Sequence, residues 1–276
     1  MTPGNLEAEL REVGFLAPTL GPFSRYIKER LEEWFNVAED LNRLGQRAYF
    51  EGTKLLPGLA MLDPVFLALL MTSRSLGAFQ GALILAQKGM GNEAQSLIRT
   101  VFECVFWIGY LRNEPETAVK CLVYDSIFND AGLHKAALKH LRPSGPARTQ
   151  LEFSLGDLQE RIAQGKFPAP KTEELARLSG YEGYYYFYKD LSGYAAHTSL
   201  KAMHSIVDHD GEGNIIGHQF GPDEDSTERA IWLGCLGMVR LIDAVTTLAS
   251  LDGFEPELGN LNSRVEELEP GHLQKG

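Results

Sequence analysis

The sequence predicts an all-α protein, a single bundle of about seven helices with a small loop or β-hairpin inserted before the last long helix. Apolar residues recur at three- and four-residue steps along almost the whole chain. Proline, glycine and N-capping residues stand at the ends of these stretches. No linker rich in proline, glycine or serine divides the middle of the 276 residues. We therefore predict one helical domain over residues 1–251, followed by an acidic C-terminal tail over residues 252–276.

Three long helices are predicted in the first half of the chain. Residues 22–50 carry Phe23, Ile27 and Leu31 at helical spacing, with charged residues between them. Asp63 followed by Pro64 is typical of a helix N-terminus, which predicts a helix to about residue 88. The glycine-rich turn at 89–92 separates this helix from an apolar one over residues 93–112.

The second half predicts helices over residues 115–141, 148–163, 172–178, 183–207 and 225–250. The fourth of these begins with a run of tyrosines, for which a strand is the competing interpretation. Helix is favoured because Tyr181, Tyr184 and Tyr188 fall on one helical face. Glycines around Ile215 and Ile216 predict the loop or hairpin before the last helix.

The composition argues against several classes of partner. There are 26 Lys and Arg against 37 Asp and Glu, a formal charge of −11, so we expect no general nucleic-acid binding. The three cysteines lie in apolar helical patterns, which predicts buried free thiols and a reducing cytoplasmic location. The N-terminus does not resemble a signal peptide, and charged residues interrupt the longest apolar stretches, so we expect no membrane span.

Arg99 and Glu103 stand one helical turn apart in an otherwise apolar stretch, residues 97–111. With arginine nearer the N-terminus, such a pair stabilises a helix by only about 0.2–0.5 kcal/mol. One interpretation is a buried network that fixes the register of neighbouring helices, in which case Arg99→Ala would cost about 3–5 kcal/mol. The other is a site where Arg99 binds a carboxylate or phosphate while Glu103 orients it.

A second polar group follows the tyrosine run, and it includes Ser192, Tyr194 and His197. One interpretation is a solvated helix face that continues through Lys201; the other is a site that His197 shares with Arg99. His197 and His204 are about 10.5 Å apart along a helix, which argues against a shared metal ion.

Three other features have competing interpretations. Tyr188 either packs in the core or stacks on a ligand, and packing is the commoner use of such tyrosines. Arg74 and Arg240 lie on apolar helices and are candidates for the network around Arg99. Residues 208–215 resemble the start of a calcium-binding loop, but Gln219 stands where the bidentate glutamate would be, so we expect a turn and no metal or cofactor.

Residues 93–111 and 184–197 together resemble a family of bacterial helical proteins of unknown function. The first segment matches an E-A-x-x-L-x-R-x-x-x-E helix that includes Arg99 and Glu103, and the second an L-S-x-Y-x-x-H helix that includes Ser192, Tyr194 and His197. The resemblance covers about residues 60–250. That family is loosely similar to HEPN-type domains of toxins and defence proteins, some of which cleave RNA without a metal. Those nucleases pair an arginine with a histidine four to six residues downstream, and this chain has no such pair.

Two hypotheses follow for the function. The first is a helical module that binds a small anionic ligand or a protein partner, with a role in bacterial stress or phage defence implied by the resemblance, and that dimerises through an apolar helix face. The second is a metal-independent hydrolase of a phosphodiester or other anionic substrate. The candidate catalytic residues are His197, Arg99 and Glu103, and the candidate binding residues are Tyr194, Ser192, Tyr188, Lys201 and Arg74. The two hypotheses differ in whether Arg99 and His197 line a cavity that is open to solvent.

Overall fold

A computed structural model describes residues 3–18, 20–165, 167–193, 206–218 and 221–268, and the side chains of these residues from residue 8 onward. The helices are α1 (Pro3–Val13), α2 (Leu20–Arg30), α3 (Glu32–Thr53), α4 (Pro64–Ala86), α5 (Gly91–Asn113), α6 (Pro115–Ala136), α7 (Gly145–Gln164), α8 (Thr172–Ser179), α9 (Tyr185–Leu191), α10 (Glu224–Leu248) and α11 (Glu255–Glu267). The strands are β1 (Val207–His209) and β2 (Ile215–His218). The protein is all-α, as the periodicity predicts.

The helix α5 lies at the centre of the bundle. It packs against α4 and α10 along most of its length, and α3 covers the other side of α4 and α10. The core between these helices is continuous and contains large side chains that are fully buried, among them Phe35, Phe79, Phe102, Phe106 and Leu111. Burial of this apolar surface is the main force that holds the bundle together, at about 25 cal/mol per Å².

Glycines bring α5 and α10 into close contact at three places. A Cβ atom at Gly234 of α10 would lie 2.9 Å from the Ile98 side chain, and one at Gly237 would lie 3.1 Å from Val101. At the other end of the contact, Gly91 of α5 lies directly against the backbone of Ser226. Because a larger side chain at these positions would collide with α5 or α10, the glycines permit the short distance between the two helices.

The expected number of about seven helices is wrong, because the described residues contain eleven α-helices. The predicted helix over residues 22–50 is divided into α2 and α3 at Leu31, whose backbone leaves the helical region with φ −110° and ψ 30°. The helix α1, over residues 3–13, was not expected from the sequence either.

The predicted acidic tail is also helical over much of its length. In α11, Leu258, Leu261 and Val265 are buried against α3 and α10. The guanidinium of Arg264 in α11 donates a hydrogen bond of 2.8 Å to Asp40 in α3. The apolar spacing of three and four residues explains this packing, and it outweighs the acidic composition of the segment.

The helices α6 and α7 form a hairpin that has little contact with the rest of the bundle. Over 22 residues, α6 buries Ala118, Cys121 and Ala131, and over 20 residues α7 buries Leu158. The helix α6 ends in a π-helical turn, Ala137–Leu141, after which Arg142 has a left-handed backbone with φ 48°. The predicted helix to residue 141 is thus α-helical only as far as Ala136.

The strands β1 and β2 form an antiparallel hairpin, with Val207 paired to His218. In the turn, Asp210 Oδ1 accepts backbone hydrogen bonds of 2.9 Å from Glu212 and 2.8 Å from Asn214. Hydrogen bonds from the Asn214 side chain and backbone lower the pKa of Asp210. This carboxylate therefore organises a turn, and in the described ranges no group of three or more His, Cys, Asp or Glu residues could hold a metal ion.

Two of the helices are long and apolar enough to cross a membrane by length and composition alone, namely α4 and α10. Charges do interrupt both, Arg74 in α4 and Arg240 with Asp243 in α10, but they are too few to exclude a span by composition. In the fold, 72% of the most apolar window of α10 and 39% of that of α4 are buried. A core helix of a globular bundle passes the same test, and the high burial of α10 is typical of one.

Candidate functional site

The helices α5 and α9 bring four polar side chains into one hydrogen-bonded group, which we call the Arg99 cluster: Arg99, Glu103, Tyr188 and Ser192. Arg99 Nη2 donates hydrogen bonds of 2.7 Å to Glu103 Oε1 and 2.8 Å to the Tyr188 hydroxyl. Arg99 Nε donates a hydrogen bond of 3.0 Å to Ser192 Oγ. Residues that are about 90 positions apart in the sequence therefore share one polar centre.

Tyr188 serves both the core and the cluster. Its ring is buried and makes an edge contact with Phe106, with the ring centroids 6.0 Å apart. The guanidinium of Arg99 lies 5.0 Å from the centroid of the Tyr188 ring, which is the geometry of a cation–π contact. The Tyr188 hydroxyl in turn donates a hydrogen bond of 3.0 Å to Glu103 Oε1. Tyr188 thus packs in the core while its hydroxyl belongs to the Arg99 cluster.

The exposure of the charged pair corrects the expectation that it is carried deep into the core. The side chains of Arg99 and Glu103 are 26% and 35% exposed. At this exposure water still solvates both charges, so the cost of burying them is much smaller than for a sealed pair. Within the described residues, Arg99 Nη1 has no hydrogen-bond partner. Among the residues that the structure describes, this nitrogen is therefore the one guanidinium nitrogen of Arg99 without an acceptor.

The structure places the other predicted site residues differently. Tyr194, His197 and Lys201 lie outside the described residues. Arg74 is exposed on α4 and has no hydrogen bond or ion pair with the Arg99 cluster. Arg240 donates a hydrogen bond of 2.7 Å to Asn262, so among the described residues neither arginine contacts the Arg99 cluster.

A second group of arginine, tyrosine and an acidic residue was not expected from the sequence. Arg112 of α5 donates a hydrogen bond of 3.2 Å to the Tyr181 hydroxyl, which donates one of 2.8 Å to Asp243. Burial, and then the charge of Asp243, raises the pKa of Tyr181. The sequence signal for this group was the spacing of the tyrosines at positions 181, 184 and 188. In the fold, each of the three rings has an arginine guanidinium 5.0–5.3 Å from its centroid. Arginine–tyrosine contact is therefore a repeated feature along this segment.

The Arg99 cluster combines hydrogen-bond donors that suit an anion with an internal counter-charge. A guanidinium donates to carboxylate or phosphate oxygens, and hydroxyl groups such as that of Ser192 donate as well. Glu103 already neutralises Arg99, so an added anion competes with this carboxylate. Five surface cavities of about 240–380 Å³ are lined by residues outside the Arg99 cluster.

Comparison with known proteins identifies a family for this chain. No curated protein and no solved structure matches the chain. The model of DUF5677, a family of unknown function, matches residues 65–215, a range that contains the whole Arg99 cluster and more than half of the 276 residues. The chain therefore belongs to the DUF5677 family.

Proposed function

We propose that this protein is a helical binding module that holds a small anion, a carboxylate or a phosphate, at Arg99. The observation that carries the proposal is a partly exposed guanidinium that three neighbours hold in place and whose Nη1 has no acceptor within the described part of the chain. The proposal includes a cytoplasmic location, which the three buried, unpaired cysteines favour. A role in bacterial stress or phage defence remains a prediction from the resemblance.

The fixed position of the guanidinium supports binding. An arginine side chain in water loses conformational entropy when it binds a ligand, which costs up to about 2 kcal/mol. In this fold Ser192 holds Nε, and the Tyr188 hydroxyl and Glu103 hold Nη2. The entropy of the side chain is therefore lost on folding, before any ligand arrives.

The charge of Glu103 sets the expected affinity. Its carboxylate lies 2.7 Å from Arg99 Nη2 and repels a second anion bound beside the same guanidinium. We therefore expect weak binding of simple anions, with a dissociation constant of about 1 mM or above. Removing this charge should strengthen binding, and this expectation separates an anion site from a purely structural cluster.

The test measures binding of inorganic phosphate and of acetate by NMR titration at constant ionic strength, with the full chain. We expect Arg99→Gln to abolish the chemical-shift changes of α5 and α9, and Glu103→Gln to tighten binding by about three- to tenfold. Arg112→Gln is the matched control, because Arg112 also contacts a tyrosine and a carboxylate. An equal loss in the Arg99 and Arg112 variants, or no effect of Glu103→Gln, would refute the proposal.

The same samples test the hydrolase hypothesis. A phosphodiester such as bis(p-nitrophenyl) phosphate is incubated with the natural chain and with the Arg99→Gln and His197→Ala variants. If binding is the function, none of them releases nitrophenol above the buffer rate. Turnover by the natural chain that both variants lose would replace the binding proposal with hydrolysis.

A further inference from the structure

The hairpin of α6 and α7 exposes apolar side chains at both of its ends. At the end far from the bundle, which we call the tip (residues 131–151), Leu133 and Leu141 are 67% and 79% exposed. At the end near the bundle, three adjoining cavities of about 300–380 Å³ share Leu62 and form one apolar groove. We call this the root groove, and its lining includes Leu62, Val119, Val123, Ile127, Leu158 and Phe167.

The two ends of the hairpin carry opposite charge. The tip contains four basic residues, Lys135, Lys139, Arg142 and Arg148, and no Asp or Glu. The root side of α6, residues 114–130, contains four acidic residues and one lysine. The root side of α7, residues 152–164, contains three acidic residues and one arginine. This separation within one hairpin contrasts with the acidic charge of −11 over the whole chain.

We infer that the hairpin is the interface of a homodimer, in which the tip of each copy binds the root groove of the other. An interface of this kind is related by a two-fold axis and uses the same surface twice. With the two hairpins antiparallel, the basic tip of each copy meets the acidic root of its partner, and Leu133 and Leu141 cover the apolar groove. In the parallel arrangement, like charges would meet at both ends.

The dimensions of the hairpin are sufficient for such an interface. The 22 residues of α6 are about 33 Å long, and two packed helices are about 20 Å wide. The shared face is thus roughly 600 Å² per copy, near the lower end of the range for specific interfaces. A dimer of this size is expected to dissociate on dilution into the low micromolar range, at about 1–10 μM.

The first experiment measures the mass of the full chain by analytical ultracentrifugation between about 0.5 and 200 μM. We expect a concentration-dependent species of twice 30.6 kDa. Leu141→Asp should raise the dissociation constant at least tenfold. Leu16→Asp, at an equally exposed leucine outside the hairpin, is the control and should leave it unchanged. Circular dichroism melts show whether each variant remains folded.

The second experiment tests the antiparallel arrangement. Reversing Lys135 and Lys139 to glutamate should weaken the dimer at least tenfold, and reversing Asp125 and Asp130 to lysine in the same chain should restore it.

Three outcomes would overturn the inference. The first is a monomer throughout the concentration range. The second is a dimer that all of the hairpin variants leave intact, which would place the interface elsewhere. The third is a monomeric chain that binds vesicles of anionic lipid through the tip, which would make the hairpin a membrane-binding element.

Discussion

Replacing Arg99 with alanine tests how the Arg99 cluster contributes to stability. The substitution removes the ion pair with Glu103, the hydrogen bonds to Tyr188 and Ser192, and the cation–π contact. The groups that remain keep partners: the Tyr188 hydroxyl still donates to Glu103 at 3.0 Å, and the Ser192 hydroxyl to the Tyr188 carbonyl at 2.9 Å. The substitution therefore leaves no buried group without a hydrogen bond.

The magnitude follows from these contacts and from the exposure of the pair. A partly exposed ion pair contributes about 0.2–1 kcal/mol, and the cation–π contact about 0.5–1 kcal/mol. The lost hydrogen bonds add little, because water reaches a guanidinium that is 26% exposed. We expect a loss of about 1–2 kcal/mol in the free energy of unfolding. The value of about 3–5 kcal/mol for a sealed pair no longer applies.

The assay is urea unfolding followed by far-UV circular dichroism. With an m-value of about 3 kcal/mol/M, the midpoint should fall by about 0.3–0.7 M. The matched control is Arg177→Ala in α8, where Arg177 and Glu174 form an i,i+3 ion pair at 2.5 Å on the surface. We expect at most about 0.5 kcal/mol there. A loss of 3 kcal/mol or more for Arg99→Ala, or one no larger than the control, would refute the reasoning.

Three further predictions concern the rest of the fold. Gly109→Ala should destabilise the protein by about 1–3 kcal/mol, because the added Cβ would lie 2.6 Å from a backbone oxygen of α8. Gly77→Ala should stabilise it by about 0.5–1 kcal/mol, because the space around Gly77 is open. Thermal melts measure both changes. Asp40→Asn should cost up to about 1 kcal/mol at pH 7. The hydrogen bond from Arg264 lowers the pKa of Asp40, so this difference should persist above pH 4 and vanish in acid unfolding titrations as the pH falls through the lowered value. Burial raises the pKa of the Cys235 thiol, so it should react with a thiol reagent at pH 8 only after unfolding; reaction in the folded protein would contradict its burial.

Local signals in the sequence were enough to predict the class of fold and several helix ends. Asp63 and Pro64 predict the start of α4, where the Asp63 carboxylate accepts a hydrogen bond of 2.8 Å from the backbone of Val65. The break at Leu31 has no such signal, because no glycine or proline lies near it. The interruption depends on how α2 and α3 pack on other helices, and a periodic pattern does not contain that information.

The candidate site was predictable only in part. The charged pair in an apolar helix drew attention to Arg99 and Glu103, and the polar residues after α9 indicated Ser192. The exposure of Arg99 was not predictable, because it depends on which helices leave one side of α5 uncovered. Asp243 was not expected either, since it is one acidic residue on an apolar helix and its partner Tyr181 is 62 residues away.

The close contact of α5 with α10 has a mechanical consequence. A helix that slides along its neighbour moves in steps of one turn, about 5.4 Å, and each step exchanges the residues that face each other. At Gly234 and Gly237 such a step would bring bulkier neighbours of α10 opposite Ile98 and Val101, and the steric clash would block it. The pair therefore acts as a fixed frame, and any movement caused by a ligand at Arg99 has to occur in the elements around it.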